Sequence, residues 1–492
     1  MSNPRGGDAL AEAARTAQPA PGCRPRPGAG PTPPEGAGGW DRGAGRRTPG
    51  SDTRGGRALG TRGRRPRGWG AQCRAEPLAL PCVTGEATAR ARVAVTLIAA
   101  AVLLGGLIAW LGERPEDTVD GARSCEGRGI ASWREEATLT GEFARYGDDP
   151  ARGDDWSGGD GTHSVRLPDG RTLWLFSDTF LGAVHAPPNA AGEPYSWRDP
   201  SAPFVRNSAV VMTPARAVER TLPAPFFPDT GVGEWRWPVS ARVEPRAPGS
   251  REKVVRVLLW TRAEGPGPYV YGVPAATELA TLSLPDLRLT GITQVLDQRR
   301  TADPARRVLF GTAAVDAGPW TYVFGADDGQ APAHRAYAAR VPRGRLGDVR
   351  AWEYWDGERW RADGRRLAPV LGDGRRRGVG SAFTVVRDTG TYVLFTMAAG
   401  PAGLRTITSY WSCSPTGPWH GPARGFTPPL PDATVAAYNP QAHPALGAGG
   451  RVVLSYDVNR LDAAPGAGQA ELNANVSRYR PRFVSVRLGP TG

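Results

Sequence analysis

From about residue 120 onward, short runs of alternating apolar and polar residues, rich in Val, Tyr, Phe and Trp, recur between turns of Gly, Pro and Asp. A period of two bounded by turn residues predicts β-strands. No amphipathic stretch after Gly112 has the length of a substantial helix, so the region reads as all-β. Five runs resemble one another: Arg171 to Asp178, Val254 to Arg262, Trp320 to Asp327, Thr391 to Met397 and Arg451 to Asn459. Each is a buried strand ending in a small or polar residue. A second short segment precedes each of them, at Gly161 to Leu167, Trp237 to Val243, Gly311 to Asp316, Ser381 to Arg387 and Tyr438 to Leu446. The pair thus recurs five times at intervals of roughly 60 to 85 residues, while a four-stranded blade needs about 40 to 50. A five-bladed β-propeller with long loops over residues 129–490 fits this spacing. A sandwich would not predict a fivefold repeat of one strand pair. In a propeller the first strand of each blade lines the central channel, so residues opening these segments should converge on one funnel.

Upstream the pattern changes twice. Val93 to Leu111 is an uncharged run of 19 residues, VAVTLIAAAVLLGGLIAWL, long enough as a helix to cross about 30 Å of hydrocarbon. Arg90 and Arg92 precede it, and Glu113, Glu116 and Asp117 follow with Arg114, which puts the positive side before the span. The expectation is a single-pass anchor over 91–112, a linker over 113–128, and an extracellular domain at the cell membrane. A cleaved signal peptide is the rival, but the run is long for one and no A-x-A site follows Trp110. Residues 1–90 are expected to be a disordered tail, because the first 82 hold 17 Gly and 12 Pro and few aliphatic side chains. Val83, ten residues before the apolar run, is a candidate alternative start.

Charge changes the picture less than its total suggests. The net charge is +13, but the first 92 residues hold 16 Arg against 7 acidic residues. The rest is close to balanced, which argues against nucleic acid as a partner. The expected exported region keeps two of five cysteines, Cys125 and Cys413. In an oxidising compartment these are a candidate disulfide, with two unpaired buried thiols as the alternative. The chain lacks HExxH, P-loop, GxSxG and CxxC signatures, so no cofactor and no metal are expected.

Carboxylate chemistry remains, and the first repeat is densest in it: GGDGTHSVRLPDGRTLWLFSDTF, Gly158 to Phe180. Asp160 precedes the inner strand and Asp178 closes the next, so antiparallel pairing across the hairpin at Leu167 to Arg171 brings both to one end of the blade. Paired carboxylates at one mouth are what glycosidic cleavage uses, one protonating the leaving oxygen and the other assisting water or attacking the sugar. Turn capping by the same two aspartates is the structural alternative, and Asp169 in the hairpin is read that way. Asn207, Tyr438, Asn439 and His443 are candidates to hold sugar hydroxyls, and Trp235 and Trp237 to stack on a sugar face, although a tryptophan here is more readily a packing residue.

The stretch GGDGTHS…LPDGRTLWLFSDTFLG, with FVRNSAVV (Phe204 to Val211), AWEYWDG (Ala351 to Gly357), YNPQAHP (Tyr438 to Pro444) and YRPRFVSVRL (Tyr479 to Leu488), resembles an actinobacterial propeller family long described only as a domain of unknown function. Members of it are endo-D-arabinanases, similar in fold to arabinanases, invertases and levansucrases. The resemblance implies a five-bladed enzyme acting on furanose polysaccharide, with Asp160 and Asp178 matching the catalytic pair. This chain departs from the pattern at Ser381-Ala382, where many relatives carry Asn-Glu. The expectation is therefore a monomeric, membrane-anchored extracellular glycoside hydrolase acting on a polysaccharide, cell-envelope arabinan first. Its alternative is a noncatalytic propeller binding cell-wall glycan or a protein partner.

Overall fold

All five run pairs close into antiparallel hairpins, with pairs such as Arg166↔Thr172, Arg242↔Arg256, Asp316↔Thr321, Asp388↔Thr391 and Ala442↔Leu454, and the second, third and fifth carry a register shift in the inner strand. The computed structural model describes residues 124–265, 271–329, 333–400, 403–460 and 467–491. The expected tail and anchor, the start of the linker, and Cys23, Cys73 and Cys82 lie outside the described residues. The chain divides into residues 1–100 and a second unit, 101–492, to which everything below refers. Among the described residues no helix is long and apolar enough to cross a membrane.

The domain is mostly β. Its first sheet runs Val218–Thr221, Ser208–Met212, Thr172–Phe176, His163–Arg166. The second holds Glu234–Pro245, Lys253–Ala263, Val273–Ser283 and Leu289–Asp297 in sequence order. The third begins Val308–Ala317, Trp320–Asp327, Ala336–Pro342, and the fourth is Thr384–Asp388, Thr391–Met397, Ile407–Ser412. The fifth joins Ala436–Ala442, Arg451–Asn459 and Arg482–Pro490 to Arg128–Glu135, the earliest strand described.

Alternation puts apolar residues on both faces of the middle strands, and each face meets the next sheet. Leu173, Leu175 and Val211 of the first sheet pack on Val255, Val257 and Leu259 of the second. Leu258 and Trp260 continue to Phe310 and Val323 of the third, whose Phe324 and Ala338 meet Phe383 and Leu394 of the fourth. Val393 and Phe395 then meet Leu454 and Val484 of the fifth. A last core sets Val453 and Phe483 of the fifth against Trp174, Phe176 and Val210 of the first, which closes the ring. Each such fully buried side chain contributes about 1.5–3 kcal/mol relative to exposure.

One expectation is corrected: a helix does follow Gly112, Ala137–Gly147. Leu139, Phe143 and Tyr146 fall on one helical face and are buried in the core that closes the ring. Phe143 meets Trp174 edge-on at 5.0 Å and Phe176 at 5.8 Å. Thr138, Thr140 and Gly141 have poor helix propensity, so the tertiary contact rather than the local sequence holds the segment helical. Cys125 and Cys413 form a disulfide with Cα atoms 5.4 Å apart, tying the approach to Arg128–Glu135 to the end of the fourth sheet.

Candidate active site

The turn at Asp160 lies between strands Trp156–Gly159 and His163–Arg166. Its backbone is bonded to the segment at Asp178: the Asp160 amide donates to the Asp178 carbonyl (3.1 Å), and the Ser177 amide to the Asp160 carbonyl (2.7 Å). The two aspartates are thus neighbours by main-chain pairing, as the hairpin predicts. Gly161 takes φ +62°, and a Cβ there would stand 2.3 Å from Ser177 Oγ, so only glycine permits this close turn.

Side chains from three other places complete the floor. Tyr438 Oη donates to Asp160 Oδ2 at 2.8 Å. Trp237 Nε1 donates to Asp178 Oδ1 at 2.9 Å, and Arg206 Nη1 lies 3.2 Å from Asp178 Oδ2. Asp457, on Arg451–Asn459 of the fifth sheet, accepts from the Gly161 amide (2.8 Å) and from Thr162 Oγ1 (2.7 Å). The fifth sheet therefore fixes the turn that presents Asp160.

These surroundings separate the carboxyls electrostatically. Burial, reinforced by the carboxyls of Asp178 and Asp457, pushes Asp160 well above the usual carboxylate range, against the opposing hydrogen bonds of Tyr438 and Tyr479. Burial also raises Asp178, but Arg206, Trp237 and Arg262 all act to keep it ionised. Asp457 is pushed by burial to about 7, restrained by Thr162, Gly161 and Asn439. Of the pair, Asp160 is the better proton donor and Asp178 the better anion.

The two aspartates, with His163, Trp237, Tyr438 and Asn439, line a cavity of about 330 Å³. Its other walls include Arg262, Asp328, His334 and apolar Val239, Trp260 and Met397. Such a mixture of an apolar wall and a few convergent polar groups suits a small organic ligand. Ala382 is also on the wall, at the position where a glutamate is expected from the resemblance.

Asp160, Asp178, Trp237, Tyr438 and Asn439 are thus brought together, and three expected ligand contacts are not. Asn207 is fully buried, with its amide donating to the carbonyls of Phe227 (2.9 Å) and Arg236 (3.1 Å) and accepting from the Phe227 amide (2.7 Å). Its hydrogen-bonding capacity goes to the backbone, leaving nothing for a sugar. Trp235 is buried under the Arg206 guanidinium, 4.4 Å from its ring. His443 is buried between Trp174 (4.8 Å) and Phe483 (5.9 Å), its Nδ1 2.7 Å from Ser164 Oγ. Burial holds both His443 and His163 down to about 3, so each is neutral.

Sequence reasoning missed Asp457, Tyr479 and Arg206 as members of the site. Asp457 ends the apolar face of RVVLSYD, a buried strand finishing in an acid as Asp178 does, and that shared signal was available. Arg206 and Tyr479 stand in FVRNSAVV and YRPRFVSVRL, two of the motifs that carry the resemblance, which is the signal that could have found them. Among the described residues no cluster of three or more His, Cys, Asp or Glu is arranged to hold a metal ion.

A family model described as a domain of unknown function (DUF5005) matches residues 143–488. No curated protein matches the chain. Among solved structures, the fold is similar to that of a Bacteroides ovatus protein provisionally described as a hydrolase, at 19% identity and a TM-score of 0.53, over 72% of this chain and 90% of that one. Fainter similarity extends to an α-L-arabinofuranosidase of Podospora anserina, at 13% identity and a TM-score of 0.39, over 70% and 93% of the two chains. It also extends to a GH43_1 enzyme of Xanthomonas citri solved with xylotriose, at 14% identity and a TM-score of 0.35, over 73% and 93%.

Proposed function

For this chain, which belongs to the family described as a domain of unknown function (DUF5005), we propose the activity of a glycoside hydrolase on furanose-containing polysaccharide, with cell-envelope arabinan as substrate. One observation carries the reading. Two aspartates stand side by side on a cavity floor, one buried near the carboxyls of Asp178 and Asp457, which favour its protonated form against the hydrogen bonds of two phenols, the other beside Arg206 and Trp237, which favour its anion. That division is what glycosidic cleavage requires of its two carboxyl groups.

Asp160 donates its proton to the leaving oxygen while Asp178 acts on the opposite side, attacking the anomeric carbon or taking a proton from water. Tyr438 orients Asp160 through the 2.8 Å bond to Oδ2, and Tyr479 is its second phenol partner. Trp237 fixes Asp178 through Oδ1 in the same way. The five packed sheets are read as the blades of a five-bladed propeller whose central funnel is this cavity. The run Val93 to Leu111, uncharged over 19 residues, is read as the anchor that holds the domain outside a membrane, as a monomer.

The test incubates purified protein with mycobacterial arabinogalactan and analyses released oligosaccharides, beside Asp160→Asn and Asp178→Asn. Products from the wild type that disappear in both variants support the enzyme and its pair. The anomeric configuration of the first product, followed by NMR, assigns Asp178 as nucleophile if retained and as base if inverted. A second reading rests on Ala382: with an aliphatic residue on the wall where a carboxylate is expected, the funnel binds glycan without cutting it. Tight oligosaccharide binding with no release by folded wild-type protein would favour it.

A further inference from the structure

Tyr271 lines the cavity yet is 54% exposed, a large ring half open to solvent. Its place is set from behind. Arg262 Nε donates to the Tyr271 carbonyl and Arg262 Nη2 to the Gly272 carbonyl, each at 2.7 Å. The guanidinium is itself held by Asp328, at 2.9 Å and 3.3 Å, and the Arg262 side chain is only 5% exposed. Gly272 takes φ +73°, and a Cβ there would lie 2.5 Å from the Trp235 ring and 2.6 Å from the Ala263 carbonyl, so the turn fits closely against the strand beneath it.

Burying a guanidinium and a carboxylate is unfavourable unless both are well paired. Besides the help Arg262 gives in keeping Asp178 ionised, the pair pins two consecutive carbonyls, those of Tyr271 and Gly272, beside a side chain half open to solvent. The phenol is near enough to the floor for Asp160 and Asp178 to raise it, after the larger effect of burial. A half-open aromatic ring on the wall of a cavity that holds a carboxylate pair, on a backbone fixed by Arg262, matches the way amphipathic rings meet the C–H face of a sugar.

We propose that Tyr271 is the stacking platform for a sugar unit adjoining the scissile bond, and that Arg262 with Asp328 is the clamp that positions it. The inference rests on the glycoside hydrolase reading and adds the residue that selects for a chain over a single sugar. Its test uses the full chain as wild type, Tyr271→Ala and Tyr271→Phe, with arabinan-derived oligosaccharides titrated by calorimetry and arabinogalactan cleavage assayed in parallel. Tyr271→Ala should weaken oligosaccharide binding and raise KM by about tenfold, with kcat within about twofold. Tyr271→Phe, which keeps the ring, should stay within about twofold of wild type in all three. Circular dichroism of each variant checks that the fold is retained. Wild-type cleavage with Tyr271→Ala unchanged in KM and affinity would overturn the inference and leave the hydrolase reading intact. Binding that is lost in Tyr271→Ala, with no cleavage by any protein, would uphold the platform and overturn the hydrolase reading. A wild type that binds none of the oligosaccharides would overturn both.

Discussion

Replacing His443 with Gln separates what the shape of a buried imidazole contributes from what its titration contributes. Burial lowers this group from 6.5 to about 3. Between those values the unfolded chain carries a proton at this position and the folded chain does not. Stability is therefore lost as pH falls from 6.5 toward 3, and nothing is lost above 6.5. At pH 5 the deficit spans about 1.5 pH units, which at 1.36 kcal/mol per unit is about 2 kcal/mol. At pH 8 it is about zero. Glutamine does not titrate, so whatever His443→Gln costs in packing against Trp174 and Phe483 is the same at both values. The assay is urea unfolding of wild type and variant at pH 8 and pH 5. Relative to wild type, the variant should gain about 2 kcal/mol on going from pH 8 to pH 5. The three aspartates titrate in both proteins and cancel in the comparison, as does the effect of burial on His163, which is the larger part of its shift and to which His443 adds the smaller. An unchanged difference between the two proteins at the two pH values would refute the reasoning, because it would mean that the folded state takes up the proton at His443 as readily as the unfolded one.

Three further outcomes follow from the same structure. Asn207→Ala strands the Phe227 amide and two carbonyls in the interior, so it should destabilise by about 2–4 kcal/mol in urea while leaving the oligosaccharide affinity of the folded protein unchanged. Tyr438→Phe removes a donor that favours ionised Asp160, which raises Asp160 further. If Asp160 is the acid, the alkaline limb of its pH–rate profile should move to higher pH, and a limb that moves down would contradict that role. Cys125→Ser, which opens a bridge across 288 residues of sequence, should lower stability by about 2–5 kcal/mol, read as a fall in the urea midpoint that reducing agent reproduces in the wild type.

The ten strands legible from alternation were legible because each is apolar on one face or both and bounded by turn residues, as in Thr391–Met397 between Gly390 and the bend at Gly400. The helix Ala137–Gly147 was not, since it is held by Trp174 and Phe483, which are remote in sequence. The aspartate pair was legible because Asp160 and Asp178 flank one hairpin and local pairing juxtaposes them. Asp457 acts on Gly161 across 296 positions, a relation that only closure of the ring creates. Asn207 and His443 misled for a single reason. A polar side chain near an inner strand can serve a sugar or a neighbouring backbone, and which it serves depends on how the adjacent sheet packs.

The pairing of Arg128–Glu135 with Arg482–Pro490 also bears on when this protein can work. Asp160 and Asp178 emerge early in synthesis, but Tyr438, the partner of Asp160, comes 278 residues later, and the sheet that holds it is finished only when the two remote strands meet. A chain still being made therefore carries Asp160 without the group that orients it. The proposed activity should appear late and all at once, when the earliest and latest of the described strands have paired.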